Sequence, residues 1–293
     1  MTKGRIVHAI SGFYDVAVAG GGIVRTKPRG IFRKKGQSPL VGDWVEVDET
    51  DEAVISQIYP RKNSLIRPPM ANIDKGILVM SAKEPDFSPY LMDRFIVYLG
   101  EKRIEPILLL TKMDLLNREE RKAMDQVLEG YCSLGYTVIS NEGEAFASYL
   151  AQLSDEWLLL MGQSGVGKST MLNRLLPELK LETGDISLVL NRGRHTTRSV
   201  TVYPYQEVFI ADTPGFSSLQ LPYMDKEDLG HYFIEWKDLS PLCKYQPCTH
   251  THEPQCAVKE FCMENDFHHR RYEHYLKALE EVSQQKPHYE RKR

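Results

Sequence analysis

The chain has no apolar run approaching the roughly 18 residues that a helix needs to cross a bilayer, which excludes a helical membrane protein. Its first residues, Met-Thr-Lys-Gly-Arg, lack the apolar centre of a signal peptide, so a cytoplasmic location is expected. Cysteine is scarce and odd in number, five in 293 residues. Disulfide pairing would leave one over, whereas three cysteines within fourteen residues beside a histidine suit a metal in a reducing compartment. Acid is almost absent before Asp43, where Asp15 stands alone against Lys3, Arg5, Arg25, Lys27, Arg29, Arg33, Lys34 and Lys35. That excess, hidden in a net charge of -3, is the electrostatic footprint of a surface for a polyanion. Internal repeats and low-complexity tracts are also missing. What remains is 42% apolar and 26% charged, ordinary for globular protein and long enough for two or three domains.

Short period-two stretches separated by turns fill residues 1–66: 5–10, 14–18, 44–47 and 54–58, with Gly20-Gly-Gly22 as a turn. Such crowding suits a small closed barrel of the OB type. The basic segment 26–36 reads as a loop or strand edge on it, and 67–72 as an extended connector. From Ile73 onward strands and helices alternate. Apolar runs at 76–81, 106–110, 136–140 and 157–161 suit buried parallel strands, with helical spacing at 90–103, 117–133 and 143–153. Residues 201–205 and 207–211 read as an antiparallel pair. The expected result is an α/β sheet with helices on both faces. Past Pro222 strand patterns cease. Residues 225–236 and 266–285 read as helices, the second with Tyr272, Tyr275, Leu276 and Leu279 on one stripe. The predicted architecture is multidomain: an OB-fold barrel over 1–66, an α/β P-loop domain over 73–222 and a mostly helical metal-binding domain over 223–293.

Gly162-Gln163-Ser164-Gly165-Val166-Gly167-Lys168-Ser169 is a full G-x-x-x-x-G-K-S phosphate loop, placed between an apolar strand and a helix that continues through Thr170. Its glycines let backbone N–H groups converge on a phosphate at a helix N-terminus. Lys168 would bridge the β- and γ-phosphates, and Ser169 would ligate magnesium. Asp212-Thr-Pro-Gly215 follows an apolar strand downstream: Asp212 would hold magnesium through water, and the Gly215 amide would sense the γ-phosphate. Thr111-Lys112-Met113-Asp114 closes another strand, where a carboxylate can accept from guanine N1–H and its exocyclic amine and Lys112 can lie along the base. Ser140-Asn141-Glu142 either adds a backbone contact to guanine O6 or caps a helix. Thr196 or Thr197 would close on magnesium and the γ-phosphate, and spacing does not choose between them. The base reader precedes the phosphate loop, the reverse of the ordinary GTPase order, so the domain reads as circularly permuted. Phe216 stands where many GTPases carry a water-orienting glutamine. Unassisted hydrolysis should therefore be slow, and His195 is the candidate to act on the attacking water once a partner orders the loop.

Cys243-x4-Cys248-x-His250-x5-Cys256 offers three thiolates and one imidazole, a set for tetrahedral structural zinc, with His252 a rival to His250. Basic residues near Phe13, Tyr14 and Phe32, together with His268, His269, Arg270, Arg271 and the tail Arg291-Lys-Arg293, suit RNA.

In these features the chain resembles the bacterial ribosome small-subunit-dependent GTPase A proteins. The likeness rests on the N-terminal barrel with Thr26-Lys-Pro-Arg-Gly30, the permuted motif order, Arg192-Gly-Arg-His-Thr-Thr197, Asp212-Thr-Pro-Gly-Phe216 and the cysteine spacing. It implies an OB-fold, a permuted GTPase domain and a zinc domain. It also implies GTP and GDP with magnesium, and late maturation of the 30S subunit through its 16S rRNA, with hydrolysis stimulated by that subunit and coupled to release. A monomer is expected. The rivals are a nucleic-acid-dependent ATPase and a non-enzymatic, nucleotide-gated RNA scaffold.

Overall fold

A computed structural model of the chain describes residues 1–34, 36–50, 52–140, 144–179, 200–212 and 219–285. The N-terminal strands are β1 (Thr2–Ile10), β2 (Phe13–Val18), β3 (Ile23–Pro28), β4 (Trp44–Asp48) and β5 (Val54–Ile58), with a short helix α1 (Gly30–Lys34) after β3. They close into a barrel in the order β1-β2-β3-β5-β4, with β4 pairing back onto β1 and β3 parallel to β5. Alternate residues Ile6, Val16, Val45, Val47 and Ile55 fill it and are fully buried. The basic segment 26–36, read as a loop or strand edge, holds the end of β3 and the short helix α1. The connector 67–72, read as extended, holds the turn and the extended second strand of a hairpin formed by β6 (Ser64–Ile66) and β7 (Pro69–Ala71).

The α/β region follows as β8 (Lys75–Ser81), α2 (Pro89–Glu101), β9 (Glu105–Thr111), α3 (Arg118–Ser133), β10 (Thr137–Ser140), α4 (Ala145–Leu150), β11 (Trp157–Met161), α5 (Lys168–Leu175), β12 (Thr201–Tyr205) and β13 (Val208–Asp212). Two further helices, α6 (Ala257–Cys262) and α7 (Asp266–Gln284), close the chain, and among the described residues no strand follows β13. The expected helix over 225–236 is instead two 3-10 turns, Leu229–Tyr232 and Ile234–Trp236, broken at Phe233 by an extended ψ of 101°. Phe233 gives up helical geometry to stack on Trp236 at 4.5 Å, and Trp236 meets Tyr275 edge-on at 4.8 Å.

The chain divides into two compact units. Met1–Val79 with Gly143–Gly215 holds the barrel, most of β8, and β11, β12 and β13. There β11 runs parallel to β8 and to β13, and β12 is antiparallel to β13. Met80–Glu142 with Phe216–Arg293 holds the end of β8, the parallel pair β9 and β10, and the C-terminal helices. Its C-terminal core joins Val97 of α2 to Leu221, Met224, Leu229, Trp236, Tyr275 and Leu279.

Candidate functional site

In the first unit β11, buried along its whole length, leads into the glycine-rich turn. Gly162 leaves the strand with φ of 155°, and a Cβ there would stand 2.2 Å from the Val79 carbonyl oxygen, so no side chain fits this exit. Gly165 (φ 79°) and Gly167 (φ 96°) add two left-handed positions, the backbone pattern that turns N–H groups toward an anion. Val166 is buried beneath the turn, Gln163 and Ser169 are half-buried, and Ser164 and Thr170 are exposed. Lys168 opens α5 and is 9% exposed. Its ammonium donates to the carbonyls of Gly162 at 2.9 Å and Gln163 at 2.8 Å. An ammonium carries three N–H donors, so one more can reach a phosphate. Burial lowers the pKa of Lys168, and the Asp212 carboxylate opposes that shift. Asp212 ends β13, in register with Leu160 of β11 and Thr201 of β12, so β11 and β13 bring the loop and this carboxylate out at the carboxyl ends of neighbouring parallel strands.

In the second unit β9 delivers the other motif. Thr111 is 4% exposed; its hydroxyl donates to the Met80 carbonyl at 3.3 Å, and its own carbonyl accepts from Ala82 N–H. The residue therefore fastens the end of β9 to β8. Lys112 follows in the left-handed region (φ 57°), and its ammonium donates to the Glu84 carbonyl. Met113 is buried, while Asp114 is exposed on the short 3-10 turn Met113–Leu115. Asn117 then starts α3 with a reciprocal capping box to Glu120, which fixes where this loop ends. Ser140 ends β10, in register with Leu110. His195, Thr196, Thr197, Gly215, Phe216, Asn141, Glu142 and the basic tail lie outside the described residues.

Cys243, Cys248, His250 and Cys256 are all buried, with donor atoms within 4.8 Å of one another. The Sγ atoms of Cys243 and Cys256 are 3.7 Å apart, those of Cys248 and Cys256 are 3.8 Å apart, and His250 Nδ1 lies 3.3 Å from Cys256 Sγ. A tetrahedral ion with metal–sulfur bonds of about 2.3 Å requires sulfur–sulfur edges of about 3.8 Å, so the cage fits such an ion. Burial lowers the His250 pKa and keeps the imidazole in the neutral, ligating form. Burial also pushes the Cys248 thiol up to about 12, so a cation is what would hold it as thiolate. His252 is exposed and outside the set. The knuckle is held from α7: Tyr275 donates to the Thr249 carbonyl and Tyr272 to that of His250, each at 2.6 Å.

Three residues placed on an RNA surface by sequence lie elsewhere. Phe32 is buried. Arg5 packs its guanidinium 3.9 Å from the Trp157 ring and donates to the carbonyls of Gly42 and Asn72, and burial brings its pKa down to about 10. Arg271 is 2% exposed and lies among Asp93, Glu235 and the Tyr136 hydroxyl. Its place was visible in the spacing, since 271 shares a helical stripe with Tyr275, Ala278 and Val282. Among the described barrel cations, Lys3 lies over Trp44 and Tyr59, and Arg25 and Lys27 both lie over Phe13.

Residues 58–222 match the family described as RsgA GTPase, and residues 3–55 that described as RsgA N-terminal domain. A curated relative from Streptococcus agalactiae serotype III (strain NEM316), named small ribosomal subunit biogenesis GTPase RsgA, is 48% identical over 99% of this chain and 98% of its own. One of the same name from Halalkalibacterium halodurans is 46% identical over 97% and 98%. Among solved structures, that of YloQ, described as a circularly permuted GTPase, is similar with a TM-score of 0.81 at 35% identity, covering 99% of this chain and 98% of that one. YjeQ from Thermotoga maritima gives 0.82 at 31%, covering 97% and 99%.

Proposed function

The chain belongs to the RsgA GTPase family, and from that premise we propose that it hydrolyses GTP on the 30S ribosomal subunit during late assembly. The observation that carries this reading is the phosphate loop, with Lys168 folded against it beside Asp212, in a chain that matches permuted GTPases along its length.

The roles follow from the chemistry of each group. Backbone N–H groups of 163–169 and the third Lys168 donor bind the β- and γ-phosphates. Asp114 accepts from the two guanine donors that adenine lacks, and the fastened Thr111 and left-handed Lys112 set the loop that presents it. Ser169 and one of Thr196 and Thr197 would hold magnesium, with Asp212 reaching it through water. Magnesium, when bound, neutralises developing charge between the β- and γ-phosphates. His195 orients a water for in-line attack on the γ-phosphorus; the bond to the bridging oxygen breaks, GDP retains that oxygen and phosphate departs. With Phe216 in place of a polar residue, the 30S subunit must order the His195 loop, which ties turnover to correct docking.

The cage of Cys243, Cys248, His250 and Cys256 takes zinc as a structural ion, since four protein donors leave no position for substrate. Lys3, Arg25 and Lys27, with the rings of Phe13 and Trp44, form the 16S rRNA contact of a cytoplasmic monomer. GTP-bound protein holds the immature particle, and the GDP form leaves. The decisive assay is GTP turnover with purified 30S, 50S and 70S particles. Selective stimulation by 30S is expected, and equal rates with and without particles would refute the reading.

A further inference from the structure

In the second unit, three successive residues of the connector between β8 and α2 each hold a different part of the loop that presents Asp114. Ala82 N–H donates to the Thr111 carbonyl at 2.9 Å, where the loop leaves β9. One residue on, the Lys112 ammonium donates to the Glu84 carbonyl. Lys83 reaches the start of α3, where its ammonium donates to Glu120 Oε1 at 3.0 Å and to Oε2 at 3.1 Å. Glu120 also accepts the Asn117 N–H at 2.8 Å, while Asn117 Oδ1 accepts the N–H groups of Glu119 and Glu120 at 2.9 Å each. The Asn117 N–H and then the Lys83 ammonium hold the Glu120 carboxyl below its usual range, so it is charged at neutral pH. The connector is itself anchored: Ser81 Oγ donates to the Pro85 carbonyl, and Ser88 caps α2 by accepting the Leu91 N–H at 3.3 Å.

We infer that Lys83 and Glu120 are positioning residues for guanine selection: their ion pair fixes the exit of the loop 112–116 and with it the place of Asp114, on the reading of Asp114 as the base acceptor. At the entry the Ala82 bond runs from main chain to main chain, so the fastening that substitution can release is the one at the exit. The Lys83 side chain is 37% exposed and that of Glu120 39%. An exposed pair of this kind shifts an equilibrium by about five-fold at most. That is too little to govern folding, yet enough to change how firmly a carboxylate is held against a base. Guanine offers Asp114 two donors, N1–H and the 2-amino group, whereas hypoxanthine keeps the first and lacks the second. An acceptor that wanders loses a two-point contact before a one-point contact. Loosening the exit therefore weakens GDP more than IDP, whereas a general loss of structure weakens both alike.

The test titrates the full-length protein with GDP and with IDP by calorimetry, for the parent, Lys83→Met, Lys83→Arg, Glu120→Gln and the double variant Lys83→Met/Glu120→Gln. Lys83→Met is expected to raise the Kd for GDP by about two- to five-fold and that for IDP by less, so the preference for GDP over IDP narrows. Lys83→Arg keeps a cation for Glu120 and should restore the parental preference. Glu120→Gln keeps an acceptor for the Asn117 N–H and removes only the charge, so it should match Lys83→Met. The double variant should be no worse than either single, since both remove one shared interaction. A parental preference in either single variant, equal weakening of GDP and IDP, no restoration by Lys83→Arg, or additive losses in the double variant would overturn the positioning role. Asp114→Asn titrated with XDP and GDP separates the two levels. A switch toward XDP alongside parental Lys83 and Glu120 variants would sink the positioning role alone, and no switch would sink the reading of Asp114 beneath it.

Discussion

Arg271 of α7 and Asp93 of α2 form an ion pair in which each side chain is only 2% exposed. Glu235 takes the Arg271 Nε, Tyr136 Oη accepts from Nη2, and the Tyr131 hydroxyl donates to Asp93. His274 approaches the other Asp93 oxygen at 2.6 Å. Removing the cation strands two carboxylates in a dry interior, which typically costs about 3–5 kcal/mol. Arg271→Met should destabilise the second unit by about that much, read as a lower urea midpoint by circular dichroism. A loss under about 0.5 kcal/mol, the range of ordinary surface substitutions, would mean that water reaches the cluster.

Base selection is expected to follow Asp114. Asp114→Asn replaces an acceptor pair with one acceptor and one donor, which mismatches guanine and matches xanthine. The ratio of kcat/KM for XTP over GTP should rise by at least about ten-fold, equivalent to one good hydrogen bond to a charged group. An unchanged ratio would show that Asp114 does not touch the base.

Lys168→Ala should abolish detectable turnover while leaving the melting temperature near that of the parent. The ammonium's two protein partners, Gly162 and Gln163, are main-chain carbonyls of a loop whose shape is set by glycines. Filter binding of GTP alongside thermal melts separates the two effects.

The metal knuckle is expected to respond to acid through Glu253. Burial alone would raise this carboxyl group, but bonds from the N–H groups of Thr249 and Thr251 and the Thr249 hydroxyl outweigh it and bring the pKa from 4.5 to about 2. A depressed folded value means the stabilisation is whole above pH 4.5 and is lost as pH falls through about 2. Glu253→Gln should therefore melt below the parent near neutrality, with the gap closing as pH drops under 4.5. A gap of constant size across that window would assign the effect to packing.

Metal removal should be more drastic than any of these. A chelator, or Cys248→Ser, is expected to release zinc and loosen the turns around Trp236, whose ring lies 5.7 Å from that of His250. Emission of that buried indole, compared with the melting of the barrel, would show whether the loss stays local.

Parts of this molecule were legible in sequence because their physics is local. The phosphate loop declares itself through glycines that only positive φ or a 2.2 Å backbone approach can require, as at Gly162. The cysteine cage declares itself through ligand spacing, and α3 through the helical spacing of 117–133. The misread parts depend on partners far along the chain. Nothing near Phe233 announces that it will forgo a helix to stack in a core completed by Tyr275. Arg271 shares a helical stripe with buried residues, which marks it as inward, but its acids at 93 and 235 lie beyond local reach. Arg5 was counted as a polyanion contact because its seat against Trp157 bridges over a hundred and fifty positions of sequence.

A flexible four-carbon arm normally carries about 2 kcal/mol of rotational freedom that must be surrendered when it grips a ligand. Parked on two carbonyls of its own turn, Lys168 has surrendered most of that freedom before any triphosphate arrives. On the role proposed for it, this side chain then needs little further ordering to meet a phosphate.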